Sequence, residues 1–432
     1  MPFFRYKIIL LDFINPNKKL RRVQGKMLLL KFVLVCFLLI PSILCANDQN
    51  QKKLNFKIKS LVNNGSVLVA NDQKVLYLYP PQTNLKLIPA SVLKLATALA
   101  AKHYLGLDFQ YSTDFFLSKN KSLIIRGSGD PFLVSETWEH IAKYLSKLPG
   151  ITKKLKKLSF DTSLFSDKLK IPGIELSRNP YDARNGALVV NFNTVFLRVA
   201  SNGRIFSAEK QTPLTPLARR LGKKLSIGSH RISLPHGQEI LYAGEVIRAF
   251  FGKVGFSFDS HKTSIKSIIP EDHLVYTHIN KITLSEIIAG MMRYSNNFTA
   301  NQLLLSIGLA RYGAPSTLRK GNMAIREYLG KVLKISPDEF VVAEGSGISR
   351  KNRLTSKAIL SLLKAFSAEQ HLLNNERGIY LKTGTLRRVY TIAGYLPGEE
   401  KIYFVILLNQ QKNNRDKILD LLLTTDFTES NF

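Results

Sequence analysis

Ile88-Pro89-Ala90-Ser91-Val92-Leu93-Lys94-Leu95-Ala96-Thr97-Ala98-Leu99-Ala100-Ala101 reads as a helix that begins just after Pro89. The residue before a proline avoids the α region, whereas proline itself suits a helix start. Apolar or small on nearly every face, this helix is expected to be buried rather than amphipathic. Ser91 and Lys94 interrupt it, and residues three apart share a helix face. The spacing sets a hydroxyl and an amine side by side at a helix N-terminus, where free N–H groups and the macrodipole favour developing negative charge. An apolar setting disfavours the ammonium form of lysine, so Lys94 is a candidate base toward Ser91. Ser-x-x-Lys also arises by accident, so its companions decide its meaning.

A chain of 432 residues exceeds one ordinary core and implies two or three domains. With 62 Lys+Arg against 31 Asp+Glu, the net charge is +31. Such an excess raises nucleic-acid binding, but the basic residues are scattered and no zinc-finger, helix-turn-helix or RNP pattern is present. A basic surface meeting anionic cell-envelope polymers or lipid headgroups suits the charge at least as well, and no nucleic-acid partner is expected.

Met27 to Ala46 reads MLLLKFVLVCFLLIPSILCA, after Lys18, Lys19, Arg21, Arg22 and Lys26. A basic segment, an apolar core and a small residue before Asn47 make a secretory signal peptide over residues 1–46. A membrane anchor is the alternative; Pro41 and the small-residue exit favour cleavage, and Met27 is a second candidate initiator. Leu44 before Cys45 weighs against lipidation. Both cysteines, Cys36 and Cys45, lie in this leader, so the exported part is expected to be free of disulfides, thiol catalysis and cysteine metal sites. The leader holds eight basic side chains and one acidic, which leaves the remainder at +24. The expected location is periplasmic or otherwise extracytoplasmic.

Along the chain, residues 53–62 read as a short helix, and apolar runs at 66–69 and 75–79 flank an Asn71-Asp72-Gln73 hairpin signal. Gly106 is a helix-closing residue. Between 107 and 275, short β-type runs at 122–126, 204–207, 232–234 and 263–268 alternate with turn clusters, which predicts an inserted, mostly β accessory domain. Within it, Gly127-Ser128-Gly129-Asp130-Pro131 is turn chemistry and lacks the Lys-Ser/Thr of a phosphate loop. Helical patterning resumes at Thr283-Leu284-Ser285-Glu286, a capping box, and continues at 300–309, 316–333 and 355–367. Strands follow at 379–385, 389–396 and 402–408, then a last helix at 412–424. Two N-terminal and three C-terminal strands would build one antiparallel five-stranded sheet. The first and last helices would cover one face and a helical subdomain the other. The fold class is α+β, with 47–106 and 276–432 as one domain and 107–275 inserted.

Two further triplets accompany Ser91 and Lys94. Ser295-Asn296-Asn297 falls in a break between helices, and Lys382-Thr383-Gly384 lies in a predicted strand where Gly384 admits another backbone closely. An acyl-transfer serine needs a base, a proton relay to the leaving amine, an amide that holds substrate, and cations for an anionic substrate end. Lys94 suits the base, Ser295 the relay, Asn297 the amide, and Lys382 with Thr383 the carboxylate clamp. Backbone N–H groups of Ser91 and Thr385 would form the oxyanion hole. In this order the three motifs make the signature of penicillin-binding proteins and serine β-lactamases.

The chain resembles the D-alanyl-D-alanine carboxypeptidase/endopeptidase family of low-molecular-mass class C penicillin-binding proteins. The resemblance extends to Gly129-Asp130-Pro131, Phe160-Asp161-Thr162-Ser163-Leu164-Phe165, Glu344-Gly345-Ser346-Gly347-Ile348-Ser349-Arg350 and Lys382-Thr383-Gly384-Thr385-Leu386. It also includes the long insertion between Ser91 and Ser295. It implies a penicillin-binding/β-lactamase-like transpeptidase fold, peptidoglycan stem peptides as substrate, and β-lactams that acylate Ser91. It also implies a pocket for the amino-acid end of diaminopimelate from Asp161, Phe165 and Arg350, with turn capping and surface exposure as the plainer roles of Asp161 and Arg350. Three departures stand out: Glu344 replaces an aspartate, Arg387 follows Leu386, and the span from Arg350 to Lys382 is short, which would open one side of the cleft. The alternatives are a degenerate wall-binding scaffold and, with less behind it, a β-lactamase. No G-x-S-x-G elbow and no His-rich motif is present, so no cofactor or metal is expected.

Overall fold

Near-continuous apolar runs such as Val67-Leu68-Val69 and Phe404-Val405-Ile406-Leu407-Leu408 suit strands covered on both faces, and all these side chains are buried. A computed structural model describes residues 51–427 apart from 82–83, 176 and 399. The expectations for residues 1–46, Cys36 and Cys45 included, lie outside the described residues. Strand β1 (Gly65–Ala70) pairs antiparallel with the strand Ile402–Leu408, so that Gly65 faces Leu408 and Ala70 faces Tyr403. Strands from the N-terminal and C-terminal parts of the described chain thus meet in one sheet. Asn71 closes the hairpin to β2 (Val75–Tyr79) by accepting the N–H groups of Gln73 and Lys74 on its side-chain oxygen.

The full sheet has six strands, not five. Beyond β2 come β3 (Asn374–Glu376), β4 (Ile379–Leu386), β5 (Val389–Leu396) and β6 (Ile402–Leu408), in the spatial order β3-β4-β5-β6-β1-β2. The additional edge strand, Asn374-Asn375-Glu376, is polar and three residues long, so no alternation marks it. The span from Arg350 to Lys382 also contains the helix Ser356–Ala365, which packs on β1, β5 and β6. The last helix, Arg415–Leu423, packs on β5 and β6.

The segment of Ser91 and Lys94 differs from expectation at its start. Ala90–Leu93 is a 3-10 turn, and helix α1 begins at Lys94 and runs to Leu105. Ala90 has a φ of 46°, a left-handed conformation that interrupts any helix running from Pro89. Residues 94–101 are all buried, and Gly106, with φ 85°, closes the helix. Around α1 pack α2 (Leu284–Arg293) and α3 (Asn297–Tyr312). Thr283 caps α2 reciprocally: its hydroxyl accepts the Glu286 N–H, and Glu286 accepts the Thr283 N–H at 2.8 Å. The helical region at 316–333 resolves into Leu318–Glu327 and a π turn, Tyr328–Val332.

The inserted region carries the extra β sheets, with α-helices beside them. A mixed five-stranded sheet, including Gln110–Leu117, Leu123–Gly127 and Leu158–Asp161, and a three-stranded one stand beside the helices Ser135–Leu145, Pro216–Gly222 and Glu239–Lys253. Trp138, Ile141, Ala142 and Leu145 follow helical spacing and bury against Val246, Ile247 and Phe250 in a core of their own. The last strand of this region, His273–Thr283, runs through the expected boundary at 275 into the cap of α2. Gly127–Pro131 is a structural turn. Asp130 accepts the Phe132 N–H and the Asn280 amide, both at 2.7 Å, and burial raises its carboxyl to about 6.

Residues 51–61 are helical. Up to Ser60 they belong, with Thr424–Phe427, to a unit distinct from Leu61–Leu423, which holds the site. No described helix is long and apolar enough to cross a membrane.

Candidate active site

Ser91 projects from the 3-10 turn and Lys94 from the first residue of α1, so their three-residue spacing still brings them together: Lys94 Nζ lies 3.0 Å from Ser91 Oγ. The same nitrogen donates to Asn297 Oδ1 and to the Ser346 carbonyl, each at 2.7 Å. Lys94 is fully buried. Burial first, and Lys382 second, push it well below its ordinary value, against an opposing pull from Glu344. A neutral amine has two N–H groups and one lone pair. The two pure acceptors take the N–H groups, which leaves the lone pair for the Ser91 hydroxyl.

Lys382 Nζ donates to Ser295 Oγ at 3.1 Å and to the Thr383 carbonyl at 2.9 Å. Burial lowers it to about 8. Ser295 sits between α2 and α3 with φ 50°, while Asn296 caps α3 by accepting the Thr299 N–H at 3.0 Å. That cap frees Asn297, the first residue of α3, to face Lys94. Gly384 on β4 lies against the Ser91 turn so closely that a Cβ there would stand 2.7 Å from Ser91 N. Thr385 is exposed on the same strand and accepts from Arg415 at 3.4 Å.

Three contributors, Glu344, Gly347 and Thr391, are not among the candidate site residues of the sequence. Glu344, fully buried, accepts from the Ser346 N–H and hydroxyl, the Gly347 and Ser349 N–H groups, and the Asn352 amide. Those bonds shape the loop that presents the Ser346 carbonyl to Lys94. Gly347, at φ 87°, presses on Ala90: a Cβ there would fall 1.8 Å from the Ala90 carbonyl oxygen. Thr391 donates to the Pro89 carbonyl at 2.8 Å and ties β5 to the same turn. The Gly345-Ser346-Gly347 sequence was the available signal.

Ser91, Lys94, Asn297, Ser295, Lys382 and Gly384 thus come together; Asp161 and Phe165 are not among these contacts. Asp161 is buried, accepting the Ser163 N–H at 2.9 Å and the Ile268 N–H at 3.3 Å. This is turn capping, the plainer of the two roles expected of Asp161. Phe165 packs in a small core with Leu169, Ala187 and Leu305. Arg350 is exposed and donates to the Arg387 carbonyl at 3.0 Å, just beyond the end of β4. Among the described residues no cluster of three or more His, Cys, Asp or Glu is arranged to hold a metal.

The sequence matches the profile of the D-Ala-D-Ala carboxypeptidase 3 (S13) family over residues 57–218 and 230–376. It is 25% identical over 392 residues to the D-alanyl-D-alanine carboxypeptidase DacB of Haemophilus influenzae, covering 75% of this chain and 80% of that one. With the D-alanyl-D-alanine carboxypeptidase of Actinomadura sp. (strain R39) it shares 26% identity over 406 residues, 77% of this chain and 75% of the relative. The crystal structure of penicillin binding protein 4 from H. influenzae has the same fold, with a TM-score of 0.69 at 21% identity over 86% of this chain and 99% of that one. A fold with N-terminal and C-terminal strands in one sheet, a large insertion, and a profile match over most of the sequence agree: the chain belongs to the D-Ala-D-Ala carboxypeptidase 3 (S13) family.

Proposed function

We propose that this serine D-Ala-D-Ala carboxypeptidase acts on peptidoglycan stem peptides, as carboxypeptidase, endopeptidase or both, through an acyl-enzyme on Ser91. The observation that carries the assignment is the environment of Lys94 Nζ, with two acceptors and one hydroxyl around a desolvated amine. Lys94 takes the Ser91 proton as Oγ attacks the carbonyl of the D-Ala–D-Ala bond. Backbone N–H groups of Ser91 and Thr385 receive the oxyanion; one such donor is typically worth about 3 kcal/mol of transition-state stabilisation. Lys382 and Thr383 hold the terminal carboxylate, and Ser295 relays the proton now on Lys94 to the departing D-alanine nitrogen, which returns Lys94 to its neutral form. Water then cleaves the ester with Lys94 again as base. β-Lactams acylate the same oxygen; a β-lactam complex of the H. influenzae relative supports this reading. The basic and apolar leader supports export and action outside the cytoplasm.

The test is labelling of residues 47–432 with a fluorescent penicillin, beside Ser91→Ala and Lys94→Ala. A stable label on the parent, lost in Ser91→Ala and formed at least ~10²-fold more slowly in Lys94→Ala, is expected. A folded parent that takes no label and leaves the antibiotic intact would refute the catalytic reading and favour a wall-binding scaffold. Rapid hydrolysis of the antibiotic would mark a β-lactamase.

A further inference from the structure

A groove of about 530 Å³ opens where the inserted region meets the Ser295 segment, within the ~300–1,000 Å³ range of ligand sites. Tyr294 and Asn296, on either side of Ser295, line it, as does Phe298, the residue after Asn297. The groove is therefore continuous with the catalytic segment. Phe132, Phe192 and Phe298 form an edge-to-face wall, with Phe192 5.4 Å from Phe132 and 6.0 Å from Phe298 between ring centroids. Glu209, paired with Arg231, and Glu136 supply charge.

Phe192 is the second observation. Asn191, Phe192 and Asn193 have φ of 51°, 58° and 52°. Asparagine tolerates the left-handed region, whereas phenylalanine there is a strained outlier of the kind that persists where surroundings enforce it. Here they do. Asn191 accepts the Ser135 N–H at 2.9 Å, and Asn193 donates to the Arg184 carbonyl at 2.8 Å. Between these anchors the Phe192 ring is only half-buried and lines the groove.

We infer that this groove is a subsite for the N-acetylated sugars of the glycan strand that carries the stem peptide. Pyranose rings present apolar C–H faces to aromatic walls, while their hydroxyls donate to carboxylates and accept from a guanidinium. Charge favours sugar over peptide. Two glutamates and one arginine line the groove of a chain carrying +31, so it disfavours the anionic stem peptide and suits a neutral ligand. The inference rests on the peptidase reading of Ser91, which brings glycan to this face, but its binding test needs no turnover.

The experiment is calorimetric titration of the Ser91→Ala protein with tetra-N-acetylchitotetraose, a neutral probe. Saturable binding is expected, weakened at least tenfold by Phe192→Gly, which deletes the ring while suiting the left-handed backbone. Tyr294→Ala, at a 73% exposed position where folding is not at stake, is expected to weaken it severalfold. In the Ser91 enzyme, kcat/KM on a disaccharide-pentapeptide should exceed that on the free pentapeptide, and Phe192→Gly should bring the ratio toward one. No saturable sugar binding, or equal binding by parent and both variants, overturns the proposal. So does free stem peptide binding, lost in Phe192→Gly, without sugar binding. Sugar binding without turnover of either substrate would instead overturn the peptidase reading and leave the subsite standing.

Discussion

Gly384→Ala tests whether the closeness of β4 to the Ser91 turn sets the reactivity proposed for Ser91. The new methyl would lie 2.4 Å from Thr391 Oγ1, 2.7 Å from Ser91 N and 2.9 Å from Ala90 Cβ, where ordinary contact begins at 3.4 Å. None of the three yields alone. Thr391 is held by its bond to the Pro89 carbonyl, and Ala90 and Ser91 belong to a turn with positive φ pressed by Gly347. Relief requires β4 and the turn to part by roughly 1 Å. Overpacking of this kind costs about 1–3 kcal/mol of stability, but a ~1 Å misplacement of a reacting group costs on the order of 10²-fold in rate. The expected result is a folded variant, modestly destabilised in urea, whose second-order acylation by fluorescent penicillin falls ~100-fold. Adding Thr391→Ala removes the worst clash but not the one at Ser91 N, so it should restore stability more than rate. Acylation by Gly384→Ala within threefold of the parent would refute the reasoning.

The proposed mechanism needs neutral Lys94 and charged Lys382, so the pH profile of acylation should be bell-shaped with the upper limb near about 8, and Lys382→Arg should carry that limb beyond pH 10. Because folding lowers Lys382 from 10.5 to about 8, the unfolded chain binds that proton more readily, and stability falls as pH drops through this window, by about 3 kcal/mol. Urea unfolding of Lys382→Met should lack that increment. Glu344→Ala strands five buried donors, each worth about 1–3 kcal/mol when unsatisfied, and should destabilise by more than ~3 kcal/mol in urea. Thr283→Ala removes the cap of α2 and should cost about 1 kcal/mol with penicillin acylation unchanged.

The motifs were legible because each residue type is demanded by local chemistry that short stretches display: a capping box at Thr283, a helix break at Ser295, a glycine in β4. The left-handed turn at Ala90 was not. Alanine gives no signal for positive φ, and the backbone it packs closely against, at Gly347, is more than 250 residues away in the chain. Glu344 reads as a substituted cleft residue until its five donors are seen converging on it. The helix of Trp138 and Leu145 had the right spacing but lies among strands and turns that suggested a mostly β region. Asp161 and Phe165 entered by resemblance, and their own side chains are occupied with a turn and a small core.

The partners of Lys94 explain how a buried amine stays basic without becoming permanently charged. A carboxylate bonded to Nζ would hold the ammonium form; the site uses an amide oxygen and a carbonyl instead. Glu344 is near enough to pull the lysine upward, yet its oxygens are engaged by the loop N–H groups, the Ser346 hydroxyl and the Asn352 amide. Lys382 pushes in the opposite direction. The acid limb of the acylation profile should therefore respond with opposite signs to two neutralising changes. Glu344→Gln removes the charge that favours the ammonium, so the Lys94 limb moves to lower pH, whatever the variant loses in stability. Lys382→Gln removes the charge that opposes it, so the limb of its residual activity moves to higher pH. Rates of penicillin labelling measured across pH for both variants decide the matter. Shifts of the same sign, or a limb that ignores both changes, would mean that the titrating group is not Lys94.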